Sequence, residues 1–274
     1  MVLLAVLATE LVGCGRSTTP TALSVSTAEP SPGRVEITAP ARVKAGLVTL
    51  TFRNAGELSH DVILVRVDGN HGAQELVDAV SSEDAPPPDW AHLSGGVVSI
   101  TAGQRRTATL NLRPGSYYLV DTGSDDNNNP FARAGGVRNL EVTGKASTSS
   151  LPEADATITA KEYSFGAPSD LKAGTSKVRL RNTGRQPHLL FAVPVTPGKN
   201  IDDVKAAFTT SDASGPPPID FEKATGAQGI EGGTSEVTTM TLQKGNYAFI
   251  CFLNDRGGGP PHFTLGMLQG VTVS

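Results

Sequence analysis

Cysteine and histidine are scarce in this chain, with 2 and 5 residues among 274. Two cysteines exclude a disulfide-stapled scaffold and a multi-cysteine zinc or iron–sulfur site. Five histidines furnish one well-equipped metal site and little more. Charge is thin as well: Asp, Glu, Lys and Arg make up 18%, and a formal charge of −4 leaves no basic footprint for nucleic acid. Past the N-terminus there is no apolar run near the roughly 20 residues needed to span a bilayer. What the chain has in quantity is breakers, 30 Gly and 19 Pro, which argue against a helical bundle. A hydrophobic share of 38% argues equally against wholesale disorder.

Residues 1–14 read as a short apolar run, MVLLAVLATELVG, ending at Cys14. The run fits the apolar region of an export signal. Leu11-Val12-Gly13-Cys14 resembles the bacterial lipoprotein box, in which the cysteine thiol is acylated. Residues 15–33 are rich in Ser, Thr and Pro and are expected to be a solvated tether. The expectation is an extracytoplasmic protein held at the bacterial cell membrane by an N-terminal lipid, or secreted.

An internal repeat sets the organisation. KAGLVTLTFRNAGELSH (44–60) returns as KAGTSKVRLRNTGRQPH (172–188), and LRPGSYYLVD (112–121) returns as LQKGNYAFIC (242–251). The three prolines at 86–88 return at 216–218. Stretches such as VTLTF, KVRLR, TATLNL and VTTMTL alternate apolar with polar, as strands with one buried face do. One helical stretch interrupts each copy, GAQELVDAV (72–80) and IDDVKAAF (201–208). The fold class is all-β: two tandem Greek-key sandwiches over 34–144 and 156–274, joined by a linker at 145–155.

Chemistry concentrates in the second copy. His188 ends RNTGRQPH, Cys251 ends GNYAFIC, His262 follows in GGGPPHF, and Met267 opens the last strand. Two imidazoles, a thiolate and a thioether form the mixed N/S set of a type 1 copper site. Here the sequence resembles the cupredoxins, the blue copper fold, through N-x-G-x-x-x-H, G-x-Y-x-F-x-C and H-x4-M. The resemblance implies His188, Cys251 and His262 as equatorial ligands of one copper ion, with Met267 axial. This chain departs from the family in placing ten residues between Cys251 and His262, and Leu189 where Asn often follows the first histidine.

In the first copy His60 matches His188, but Asp121 stands at the cysteine position, and no His or Met follows. This copy is expected to hold no copper, with His60 and Asp121 an ordinary surface pair and His71 and His92 facing solvent. The resemblance implies one-electron transfer with a redox partner protein and no small-molecule substrate. With no His-x-His pair, the sequence gives no support for a multicopper enzyme. A metal-free binding or structural role, and copper storage or delivery, remain open alternatives. So does capture of zinc by the Cys/His set.

Overall fold

The alternating stretches fold as strands and the two helical stretches as helices. The structure, a computed structural model, describes residues 19–82, 86–146, 149–209 and 217–274; Cys14 and its apolar run lie outside the described residues. The first copy contributes β1 (Thr21–Ser31), β2 (Arg34–Thr38), β3 (Arg42–Lys44), β4 (Gly46–Asn54), β5 (His60–Val67), α1 (Ala73–Val80), β6 (Ala91–Ile100), β7 (Arg105–Leu112), β8 (Gly115–Val120) and β9 (Val137–Thr143). The second contributes β10 (Ala156–Lys161), β11 (Ser164–Gly166), β12 (Gly174–Asn182), β13 (His188–Pro194), α2 (Ile201–Thr209), β14 (Thr225–Ile230), β15 (Ser235–Leu242), β16 (Gly245–Ile250), the single turn α3 (His262–Leu265) and β17 (Leu268–Val273).

Each copy is a two-layer all-β sandwich. Leu23, Leu50 and Phe52 of one layer meet Val62, Leu64 and Ile100 of the other in the first core, and Ile158, Leu180 and Met240 meet Leu190 and Phe249 in the second. The helices cover the outer faces of β5 and β13. Leu76 and Val77 of α1 pack on Ile63 and Val65, and Val204 of α2 packs on Val193 and Ile250. Buried on both faces, HDVILVRV and HLLFAVP are nearly continuous apolar runs rather than alternating ones. Asn200 caps α2 by accepting the N–H groups of Asp202 and Asp203 at 2.8 and 3.2 Å.

One expectation is overturned. The stretch 15–33, read as a solvated tether, contains β1, which runs parallel to β4 from Thr21 opposite Val48 to Thr27 opposite Asn54. Leu23, Val25 and Thr27 alternate into the core. Two large apolar residues suffice because the ladder to β4 satisfies the backbone that a tether would leave in water.

Both sheets run through from one copy to the other. Their orders are β2-β1-β4-β7-β15-β12-β10-β11 and β3-β9-β8-β5-β6-β14-β13-β16-β17. At the junction Ala227 lies opposite Val97, and Thr238 opposite Ala108. These are equivalent positions of the duplication, so residues meet their own duplicates across a pseudo-two-fold axis. Gly96 and Gly226, also equivalents, have φ of 153° and 159°, and a Cβ on either would come within 2.0 Å of Val62 O and 1.8 Å of Leu190 O respectively. Within each copy the close approach of the neighbouring strand's carbonyl oxygen requires glycine at this position.

The same axis relates Arg106 to Glu236, and the two have diverged in charge. Arg106 Nη1 donates to Val98 O at 3.0 Å. Glu236 is fully buried; its Oε2 accepts the Gly96 N–H at 2.8 Å, and its Oε1 has no partner among the described residues. Burial pushes the Glu236 carboxyl up to about 8, so it is mostly protonated at neutral pH.

Candidate metal centre

The repeated N-x-G motif is a turn lock. Asn182 Nδ2 donates to Gln186 O and Ile230 O at 2.7 and 3.0 Å, while its Oδ1 accepts the Gly184 N–H at 2.9 Å. Asn54 repeats the pattern with Leu58 O, Ile100 O and Gly56 N–H. Each lock delivers the chain into a strand that opens on histidine, His188 or His60. A bulge follows at once, between His188 and Leu190 and between His60 and Val62. In the second copy it turns the Leu189 N–H onto Cys251 Sγ at 3.5 Å. That contact comes from the backbone and is therefore indifferent to the side chain at 189.

Short backbone links gather the remaining donors. Cys251 N–H donates to Met267 O at 3.0 Å, Met267 N–H to His262 O at 3.0 Å, and His262 N–H to Leu253 O at 2.8 Å. His188 Nδ1 and His262 Nδ1 lie 3.2 Å apart, and Cys251 Sγ lies 3.5 Å from His262 Nδ1. The three ligand atoms fall within 4.8 Å of one another, and all three residues are completely buried, as is Met267. Two nitrogens about 2.0–2.1 Å and a sulfur about 2.3 Å from one trigonal centre would lie about 3.5–3.8 Å apart. The two separations from His262 lie within a few tenths of an ångström of these values, and the donor types suit a small soft metal ion.

Burial, reinforced by its neighbour His262, pulls His188 down to about 4, and burial lowers His262 as well. Burial pushes the Cys251 thiol up to about 12. At neutral pH the cluster is two neutral imidazoles and a thiol. Among the described residues His188 Nε2 is buried with no hydrogen-bond partner, and the Glu162 Oε1 carboxylate oxygen lies 3.7 Å away. Glu162 is itself fixed by the N–H groups of Arg185 and Gln186, both at 2.5 Å. A carboxylate there favours the tautomer with its proton on Nε2, which presents Nδ1 to the cluster. Glu162→Gln is expected to weaken metal binding about 10- to 100-fold at neutral pH, measured by chelator competition.

The ten-residue stretch between Cys251 and His262 is ordered by its own bonds. Tyr163 Oη donates to the Asp255 carboxylate, Gln186 Nε2 donates to Asp255 Oδ1 at 2.7 Å, and Arg256 N–H donates to Gln186 Oε1 at 3.0 Å. The Tyr163 ring lies 5.2 Å from that of His262.

Hydrogen bonds identify the equivalent residues in the first copy. Asp121 N–H donates to Gly136 O, and Gly136 N–H to Phe131 O. The positions of His188, Cys251, His262 and Met267 are therefore taken by His60, Asp121, Phe131 and Gly136. His60 and Asp121 are not the surface pair expected, for both are completely buried. His60 Nδ1 lies 2.6 Å from Asp121 Oδ2 and its Nε2 lies 2.7 Å from Glu29 Oε1, with Phe131 against the ring. Burial alone would pull His60 down, but the two carboxylates outweigh it and hold the imidazole above its ordinary value. The two carboxylates thus favour the protonated form of His60, while burial works the other way on Asp121 and raises its carboxyl. Glu29 and Glu162 escape the sequence reading; Glu29 lies near the end of β1 and Glu162 directly follows β10, and each binds the turn before the histidine through backbone N–H groups. His71 and His92, expected to face solvent, are half-buried, His71 stacked on Trp90 at 4.2 Å and His92 Nε2 2.7 Å from Asp68 Oδ2.

No protein-family model matches the chain, and no curated protein does. Solved structures of similar shape include a dithionite-reduced auracyanin from the photosynthetic bacterium Roseiflexus castenholzii, at 20% identity and TM-score 0.30, covering 44% of this chain and 97% of that one. Auracyanin A, a "blue" copper protein from Chloroflexus aurantiacus, gives 15% identity and TM-score 0.31, covering 44% of this chain and 99% of its own. A multicopper oxidase spans both copies, with 92% of this chain and 88% of that one covered at 15% identity and TM-score 0.27. At these scores the chain's own geometry carries the reading that follows.

Proposed function

We propose that His188, Cys251 and His262, with Met267 as a further donor, would hold one copper ion, and that the chain serves as a one-electron carrier. The observation that carries this reading is the convergence of two neutral Nδ1 atoms and one thiol in a fully buried pocket. Bound copper would supply exchange between Cu(I) and Cu(II). The protein's part is to hold the donors still. His188 and Cys251 are seated at strand ends, and the bulge keeps the Leu189 N–H on the sulfur. Complete burial of the donors would keep water away from a bound ion. His60, His71 and His92 are each engaged elsewhere, which favours a carrier over an enzyme with a second copper. The partner is a redox protein, and the pattern ending at Cys14 supports attachment to the outer face of a bacterial membrane.

Titrating Cu(II) into the purified protein tests the reading. Uptake of one ion per chain with an intense visible thiolate-to-copper absorption is expected. Binding that brings no such absorption overturns it.

A further inference from the structure

The ten residues between Cys251 and His262 cross onto the metal-free copy, and Arg256 makes the crossing. Its Nη1 and Nη2 grip Glu231 as a fork, at 3.0 Å to Oε2 and 2.9 Å to Oε1. The same guanidinium donates from Nη2 to Ala91 O at 2.9 Å and from Nε to Pro87 O at 3.3 Å, both in the first copy. Glu231 is bound to that copy as well: its Oε1 accepts the Leu93 N–H at 2.9 Å, and its own N–H donates to Leu93 O at 3.1 Å. Beside it Leu253 packs into the first copy's apolar cluster under α1. Arg256 and Glu231 are only 19% and 21% exposed, so this paired fork is sheltered from solvent.

We infer that the metal-free copy braces the segment between Cys251 and His262, with Arg256 as the positioning residue that transmits its rigidity to the metal centre. A segment of this length left to itself samples many closures. Here its middle is tied to two backbone carbonyls of a neighbouring sandwich, and its two ends carry Cys251 and His262. The first copy thereby has a use that needs no metal of its own. The inference rests on the copper reading only where affinity is concerned; the bracing itself is a property of the metal-free protein.

Arg256→Met keeps an unbranched apolar stem and removes every donor; Arg256→Lys keeps the charge and removes the fork. Hydrogen exchange of the metal-free protein over 252–261 is expected to speed up at least tenfold in the Met variant and less in the Lys variant. Exchange over β12 and β15 should stay unchanged. Copper affinity, read by chelator competition, is expected to fall about 10- to 100-fold. Unchanged exchange over 252–261 in both variants overturns the brace; loosening with unaltered affinity overturns its transmission to the metal centre. If the wild type takes no copper while the segment still loosens, the copper assignment fails and the brace stands. Should the Met variant fail to fold, the Lys variant carries the same two measurements.

Discussion

Cys251→Ser is expected to abolish the intense visible absorption of the copper-loaded protein and to weaken copper binding by more than about 100-fold, beyond what loss of a supporting residue costs. The hydroxyl that replaces the thiol is a poor ligand for Cu(I) and does not ionise in the accessible range. The pH dependence separates this from a general loosening. With His188 near 4 and Cys251 near 12, the thiol alone of these two must lose a proton when metal binds between those limits. His262, lowered by burial, is also neutral at neutral pH. Uptake by the wild type around pH 7 should therefore release one proton per ion, and apparent affinity should rise about tenfold per pH unit. The serine variant should release none. An indicator-dye measurement of proton release, run on both proteins, checks the sign and the count; equal release from both would remove Cys251 from the site.

Glu236→Gln is expected to convert the protein from base-sensitive to base-tolerant. Folding raises this carboxyl from 4.5 to about 8. The folded state therefore holds a proton that the unfolded chain gives up, and stability falls as pH rises from about 4.5 through about 8. At about 1.4 kcal/mol per pH unit the loss is on the order of 5 kcal/mol by pH 9. Glutamine can keep the acceptor for Gly96 N–H and carries no charge at any pH. At pH 5 the variant should match the wild type or fall slightly below it, since its amide N–H groups enter a site offering Oε1 no partner. At pH 9 it should unfold at a temperature higher by on the order of 10 °C. Thermal unfolding of both proteins from pH 5 to 9 gives the test, and parallel curves would show that Glu236 does not control the junction.

The sandwich class, both helices and the His188, Cys251 and His262 cluster of the second copy were legible because each leaves a local trace. Alternation marks VTLTF and KVRLR, Asn200 marks the start of α2, and residue type alone marks His188, Cys251, His262 and Met267. What stayed hidden depends on partners distant in sequence. β1 looks like tether because its polar residues outnumber Leu23 and Val25, and its stability comes from a ladder with β4. Glu29 and Glu162 are of a type that usually lies in water, and only the folded turn brings them to a histidine. His60 and Asp121 read as a surface pair because nothing local announces that both are sealed in the core. The pairing of β6 with β14 and β7 with β15 has no signature in either strand, since any free strand edge offers the same donors and acceptors.

Because residues meet their own duplicates at the junction, the chain has the form of a two-fold dimer whose subunits have been made continuous. In a dimer of separate identical chains every substitution appears twice, so an acid introduced at the axis would face a second acid, and a lost ligand would be lost from both sites. Covalent fusion lifts that restriction. One side could become Arg106 and the other Glu236, and one could exchange cysteine, histidine and methionine for Asp121, Phe131 and Gly136 while the other kept them. Division of labour between ligand-bearing and supporting halves is thus open to this molecule in a way that symmetry denies to a homodimer.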